Sequence, residues 1–210
     1  MSTRIEHYRS AVLTTANQLT ILRIVFVPVF IILLVYHELG WAFGTFVAAA
    51  ITDVLDGLIA RRFGQKTSIG AVLDPIADKL MMTSSILILS LPQMEFQTMI
   101  PRWLMIVIIF RDVFILLVSL VVVLMVGWRV FTPSLYGKAS TVMQVLTVLA
   151  VLYINWQHLI VPELHIAFYM TGLMTAFSGL HYLVRGLRQW HSAFEPNPDH
   201  KKSGAEEGRK

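Results

Sequence analysis

The chain contains six apolar runs, each long enough to cross the hydrocarbon core of a bilayer. They lie near residues 19–37, 41–60, 69–91, 101–127, 138–161 and 164–185. A helix of about 20 apolar residues spans roughly 30 Å of hydrocarbon, and lipid does not tolerate unpaired backbone groups, so each run is expected to be helical. A hydrophobic content of 56% against 14% charged residues agrees with this expectation. The sequence therefore predicts an all-α integral membrane protein, a bundle of six transmembrane helices.

Polar segments flank the apolar runs. We expect residues 1–18 to form a cytoplasmic or interfacial segment with a short N-terminal surface helix, 19–187 the six-helix domain, and 188–210 a disordered polar tail. Lys and Arg gather at both ends and in the second and fourth connections, whereas the alternate connections hold only Arg102. By the positive-inside rule, both termini are predicted to be cytoplasmic in a multi-pass cell (inner) membrane protein. The net charge of +4 is modest, and no nucleic-acid partner is expected.

Four carboxylates interrupt the second and third runs: Asp53, Asp56, Asp74 and Asp78. A carboxylate is unfavourable in hydrocarbon, so ionisable residues there face a protein interior or a watery cavity. Spacings of three and four residues place each pair on one helical face, and the short connection brings both faces towards one pocket that opens inward. Oxygen ligands at this density favour Mg²⁺ or Mn²⁺, and the chain has no Cys to offer thiolates. The sequence predicts a site for two divalent ions.

Two divalent ions held by carboxylates can clamp a phosphate group, so a diphosphate substrate fits the predicted site. Gly57 and Ala60 leave room beside the acids, and Arg61 would neutralise one phosphate. Asp78 is the candidate to take a proton from an incoming alcohol, with the site on the cytoplasmic side. The alternative is a salt-bridge network that only holds helices together. It is disfavoured because four acids against Arg61 and Lys79 leave excess negative charge.

Residues 53–78 follow the pattern D-x2-D-G-x2-A-R-x8-G-x3-D-x3-D. This pattern resembles the signature of the CDP-alcohol phosphotransferase family at every specified position. Upstream, N-x-L-T-x2-R at residues 17–23 is similar to that family's entry to the first helix, with Ala16 where the family often has Pro. The resemblance implies transfer of a phosphatidyl or related phosphoryl group from a CDP-linked donor to an alcohol, with release of CMP, usually by a homodimer.

The resemblance also implies roles for individual residues. The four aspartates match the metal-binding acids, and Asp78 matches the proposed base. Other positions match the segments that contact or close over the CDP portion of the donor. These predicted donor-binding residues are Asn17, Thr20, Gly57, Ala60, Arg61, Thr67 and Gly70.

The surrounding sequence resembles the phosphatidylglycerophosphate synthase branch, through L-D-P-x-A-D-K at residues 73–79 and G-K-x2-T-x2-Q at 137–144. That branch implies CDP-diacylglycerol as donor, glycerol 3-phosphate as acceptor and contact with membrane lipids. Arg111, about 15 Å inward from Pro101, and Lys138, at the cytoplasmic mouth, are expected to hold the acceptor phosphate. Alternatively, Arg111 pairs with Asp112 or with the acid cluster, and Lys138 snorkels to the interface.

Two other functions stay open. The Arg111-Asp112 pair also resembles cardiolipin synthases of the CDP-alcohol type, whose acceptor is phosphatidylglycerol, while inositol-phosphate, serine and ethanolamine acceptors rank lower. A cation transporter lined by the buried acids is the alternative from another class. Transporters commonly contain internal repeats, and the fifth and sixth runs hold no counterpart of the acids.

Overall fold

A computed structural model describes residues 15–63, 70–126 and 135–194. Within these ranges the chain forms six α-helices and no strand. The helices are α1 (Thr15–Val35), α2 (Leu39–Phe63), α3 (Gly70–Leu89), α4 (Arg102–Val126), α5 (Leu135–Trp156) and α6 (Leu164–Phe194). A short 3₁₀ helix, Pro92–Met94, lies between α3 and α4. The predicted all-α class and the six helices are confirmed for these residues.

Within the described residues, helix is present on both sides of the predicted domain boundaries. Helix α1 begins at Thr15, inside the segment predicted to precede it, and the predicted surface helix lies outside the described residues. Helix α6 continues to Phe194, into the segment predicted as a polar tail. Residues 188–194 contain no Gly or Pro that would stop a helix. The apolar run therefore ends before the described part of the helix does.

Helices α1 and α5 end in the same way, with a histidine in the left-handed region. His37 has φ 58°, and the next residue, Glu38, donates its backbone N–H to the Leu33 carbonyl at 2.9 Å. His158 has φ 53°, and the N–H of Leu159 returns to the carbonyl five residues earlier at 3.0 Å. This six-to-one bond defines a Schellman cap, which satisfies carbonyls that a helix end leaves without partners. The caps allow sharp chain reversals with short connections.

The described residues group into two compact units. The first contains residues 15–63, 70–106 and 142–171, and the second contains 107–126, 135–141 and 172–194. Helices α1, α2 and α3 lie wholly in the first unit, where α1 packs against both α2 and α3. Helices α4, α5 and α6 each contribute residues to both units. The predicted site acids on α2 and α3 therefore belong to a single unit.

Asn155, near the end of α5, anchors the connection between α3 and α4 in the first unit. Its side chain is 2% exposed. Its Oδ1 accepts a hydrogen bond from the Thr98 backbone N–H at 2.9 Å, and its Nδ2 donates to the Thr98 carbonyl at 2.8 Å. Nδ2 also donates to the Val151 carbonyl, one turn earlier in α5, at 2.8 Å. One amide thus fixes a loop and a helix end together.

Many large apolar side chains lie on the surface, while many hydroxyl and amide side chains are buried. Phe110, Leu116 and Leu173 are 69%, 66% and 68% exposed. By length and composition, one helix among the described residues, Leu135–Trp156, could cross a membrane. Shorter apolar stretches are Ile24–Val35, Leu39–Leu55 and Lys79–Leu89. The buried polar residues are Ser85, Ser90, Arg111, Ser140, Gln144, Thr147, Asn155, Thr171, Thr175 and Ser178.

Candidate active site

The four predicted metal ligands lie on two helices that pack against the same third helix. Asp53 and Asp56 belong to α2, and Asp74 and Asp78 belong to α3, while α1 contacts both helices. Within a helix, residues three or four apart are neighbours on one face. The helical register that the predicted site requires is therefore present in both helices. The convergence of the four carboxylates stays a prediction.

Of the four predicted metal ligands, Asp53 is the one whose side chain the structure describes, and that side chain is exposed. It lies about 21 Å along α2 from Leu39, at 1.5 Å per residue. The side chains of Asp56, Asp74 and Asp78 lie outside the described ones. Among the described side chains, no group of three or more His, Cys, Asp or Glu could hold a metal ion. Carboxylate oxygens are nevertheless the donors that Mg²⁺ and Mn²⁺ prefer, so the chemistry of the four positions fits a divalent cation.

Six of the predicted donor-binding residues lie at the beginning of α1, in the last turns of α2 and at the start of α3. They share the first unit with the four aspartates. Their side chains are outside the described set, so their contacts with a nucleotide stay predictions. The six are Asn17, Thr20, Gly57, Ala60, Arg61 and Gly70, whereas Thr67 belongs to residues 64–69, which lie outside the described residues.

Arg111 lies in the second unit, on α4, and is only 8% exposed. Its Nη1 forms an ion pair with Asp112 Oδ1 at 2.7 Å, and its Nη2 donates to Ser178 Oγ on α6 at 3.0 Å. The alternative in which Arg111 pairs with Asp112 is therefore observed. The pairing is incomplete, because Arg111 Nε is buried and has no hydrogen-bond acceptor among the described residues. A buried donor without an acceptor is unfavourable by about 1–3 kcal/mol.

Lys138 is exposed and lies in the first turns of α5, also in the second unit. Ser140, two residues later, is fully buried, and its hydroxyl lies 3.2 Å from that of Thr175 on α6. This hydroxyl pair fixes the start of α5 against α6 close to Lys138. An exposed amine suits both acceptor binding and snorkelling, so both interpretations of Lys138 remain open.

We did not predict the polar stripe along α6. It contains Thr171, Thr175, Ser178 and Tyr182, spaced four, three and four residues apart on one helical face. The first three are 0% exposed and Tyr182 is 9% exposed. In the first unit, the Thr171 hydroxyl lies 2.7 Å from that of Thr147 on α5. Hydroxyl residues at helical spacing inside an apolar run were the signal that could have indicated it.

The chain is similar to several curated proteins of phospholipid synthesis. It is 33% identical over 197 residues to a "probable cardiolipin synthase (CMP-forming)" of Drosophila melanogaster, an alignment that covers 86% of this chain and 60% of the relative. It is 33% identical over 193 residues to a "probable phosphatidylglycerophosphate synthase" of Mycobacterium tuberculosis, covering 86% of this chain and 85% of the relative. The Bacillus subtilis protein named CDP-diacylglycerol--glycerol-3-phosphate 3-phosphatidyltransferase is 30% identical over 188 residues. That alignment covers 80% of this chain and 93% of the relative.

The sequence profile of one family, CDP-alcohol phosphatidyltransferase, matches residues 13–178. The matched region contains all four aspartates, Arg111 and Lys138. The match covers most of the chain, and it agrees with the signature on α2 and α3. The protein therefore belongs to the CDP-alcohol phosphatidyltransferase family, the transferases that move phosphatidyl groups in phospholipid synthesis.

Proposed function

We propose that the protein transfers the phosphatidyl group of CDP-diacylglycerol to glycerol 3-phosphate, giving phosphatidylglycerophosphate and CMP. The observation that carries this proposal is the complete acidic signature on α2 and α3, two helices that pack against α1. The relatives in Mycobacterium and Bacillus support the choice of acceptor, because one is named as a phosphatidylglycerophosphate synthase and the other as a glycerol-3-phosphate phosphatidyltransferase. Family membership favours this transferase over the cation transporter.

In the proposed reaction, the acceptor hydroxyl oxygen forms a bond to the phosphorus of the phosphatidyl group. The bond from that phosphorus to the bridging oxygen breaks, and CMP leaves with the electron pair. Asp78 accepts the hydroxyl proton, and Arg61 offsets negative charge on the donor. When bound, two Mg²⁺ or Mn²⁺ ions held by Asp53, Asp56, Asp74 and Asp78 would neutralise the pyrophosphate and the charge that develops on the leaving group.

The acceptor phosphate is proposed to bind Arg111 and Lys138. Arg111 supports this role because its Nε has no acceptor among the described residues, although Asp112 occupies another nitrogen. A phosphate oxygen at Nε would give this buried donor a charged partner. Lys138 adds a second, exposed positive charge from α5. A charge on each of two helices suits a small dianionic acceptor better than an uncharged alcohol.

The distribution of side chains supports a membrane location. Phe110 and Leu116 on α4 and Leu173 on α6 present large apolar surfaces that are unfavourable in water and favourable in lipid. We propose that all six helices span the inner membrane, with both termini and the active site cytoplasmic. The predicted three-part organisation is retained in this proposal, with the helical domain extended to residue 194. The proposed enzyme works as a homodimer.

Cardiolipin synthesis is the second candidate. The Drosophila relative is named for that activity, and the Arg111-Asp112 pair observed on α4 resembles that branch. The donor and the proposed chemistry of the four aspartates would be unchanged. The acceptor would then be phosphatidylglycerol, which is already a membrane lipid.

One assay separates the two candidates. Purified protein in mixed micelles receives CDP-diacylglycerol labelled in its phosphatidyl group, Mg²⁺, and either glycerol 3-phosphate or phosphatidylglycerol. We expect labelled phosphatidylglycerophosphate and CMP with the first acceptor, and neither product from an Asp78→Asn variant. Labelled cardiolipin with the second acceptor, and no product with the first, would refute the proposed acceptor and establish the second candidate.

A further inference from the structure

The guanidinium of Arg111 is held at two points by residues from two helices. Asp112, its neighbour on α4, accepts from Nη1 at 2.7 Å, and Ser178, on α6, accepts from Nη2 at 3.0 Å. Adjacent residues of a helix point in different directions, so the Asp112 carboxylate approaches the Arg111 guanidinium from one side only. One contact leaves the planar group free to turn about it, whereas a second contact fixes the plane. Ser178 supplies that second contact.

The two contacts differ in charge. Asp112 offsets the positive charge of Arg111 and competes with an anionic ligand for the same group. Ser178 is neutral, so its hydroxyl orients the guanidinium without reducing its attraction for an anion. Ser178 is 0% exposed, and the hydrogen bond that it forms with Arg111 is buried. The contact therefore persists without competition from water.

The surroundings of this contact are well packed. Thr175 lies three residues before Ser178 on α6 and pairs with Ser140 on α5, so α6 is fixed at this level. A Cβ added at Gly179 would lie 3.5 Å from Arg111 Cγ, an ordinary van der Waals separation. The stem of Arg111 thus packs beside the backbone of α6. An Arg side chain loses rotamer entropy when it is fixed, and restraint before binding removes that penalty from the binding step.

We propose that Ser178 is a positioning residue for the acceptor phosphate, acting through Arg111. The hydroxyl holds the guanidinium in one orientation, in which Nε is the nitrogen that has no acceptor among the described residues. This inference rests on the proposed acceptor role of Arg111. It assigns to α6 a part in acceptor affinity, separate from the acids on α2 and α3.

The test compares Ser178→Ala with the matched control Ser85→Ala. Ser85 is also a 0% exposed helical serine, but its hydroxyl bonds to the carbonyl of Met81 in its own helix at 2.6 Å. We expect Ser178→Ala to raise KM for glycerol 3-phosphate about tenfold, because a hydrogen bond to a charged group is lost. KM for CDP-diacylglycerol and kcat are expected to change less than twofold. Ser85→Ala is expected to leave the acceptor KM within twofold of the wild type.

A double-mutant cycle shows whether Ser178 acts through Arg111. In an Arg111→Gln background, Ser178→Ala is expected to raise the acceptor KM by less than twofold, because there is no guanidinium left to orient. Thermal unfolding of each variant confirms that the proteins are folded. An acceptor KM that Ser178→Ala changes no more than Ser85→Ala does, or an undiminished effect in the Arg111→Gln background, would overturn the inference.

Failure of the proposed function gives a different result. A wild-type protein that transfers no label to glycerol 3-phosphate refutes the proposed acceptor before any variant is compared. The same variants are then assayed with phosphatidylglycerol, whose phosphodiester is also anionic. A selective rise in KM for that acceptor in Ser178→Ala would support positioning through Arg111, and an unchanged KM would overturn it.

Discussion

Replacement of Asn155 by Ala should destabilise the protein without changing its chemistry. The substitution removes three hydrogen bonds, two to the Thr98 backbone and one to the Val151 carbonyl. At about 1 kcal/mol for each bond, the expected loss is about 3 kcal/mol. For a chain of this length, that loss corresponds to a fall in Tm of roughly 6–12 °C. Asn155 lies at the end of α5 and carries none of the proposed catalytic roles, so kcat for the folded enzyme should stay the same.

The assay is thermal unfolding of purified protein in detergent, with hydrogen exchange at the Thr98 amide as a local measurement. Exchange at Thr98 should accelerate in Asn155→Ala because its acceptor is gone. Gln157→Ala, an exposed side chain two residues away, is the control and should leave both measurements unchanged. A fall in Tm below 2 °C, or unchanged exchange at Thr98, would refute the role assigned to this amide.

Three further predictions concern single positions. The Gly40→Ala variant should be about 1–3 kcal/mol less stable than the Gly44→Ala variant. A Cβ added at Gly40 would lie 2.7 Å from Trp156 Nε1, whereas a Cβ added at Gly44 would meet nothing within 4 Å. Equal Tm values for the two variants would contradict this prediction. His37→Gly should raise stability by about 0.5–1 kcal/mol, measured as Tm, because φ 58° is unstrained for Gly; a loss would show that the His side chain stabilises the cap. Lys138→Ala should raise KM for glycerol 3-phosphate roughly fivefold, and an unchanged KM would favour snorkelling.

Hydropathy predicted the six helices because long apolar runs must form internal backbone hydrogen bonds. It predicted their limits less well. The third run, 69–91, agrees closely with α3 at Gly70–Leu89, whereas the sixth run ended at 185 and α6 continues to Phe194. An apolar run shows where lipid is favoured. A helix ends where caps, Pro or left-handed residues stop the hydrogen-bond ladder, as at His37 and His158.

The candidate site was predictable where it depended on ionisable residues in an apolar context. The helical placement of the acids on α2 and α3 followed from their spacing, because that spacing is compatible with one helical face. The contact between Ser178 and Arg111 was not predictable from spacing. Serine is common on apolar helices, and its partner depends on the rotation of α6 about its axis. Pairing of Arg111 with Asp112 was one of two alternatives, since adjacency in sequence does not reveal side-chain direction.

The central claim is that carboxylates from α2 and α3 bind divalent ions together. Equilibrium binding of Mn²⁺ to the purified protein, followed by electron paramagnetic resonance in the presence of CDP-diacylglycerol, tests it most directly. We predict two ions for each chain in the wild type, and loss of binding in both Asp56→Asn, on α2, and Asp74→Asn, on α3. Mn²⁺ binding at the wild-type level in either Asp56→Asn or Asp74→Asn would contradict the claim.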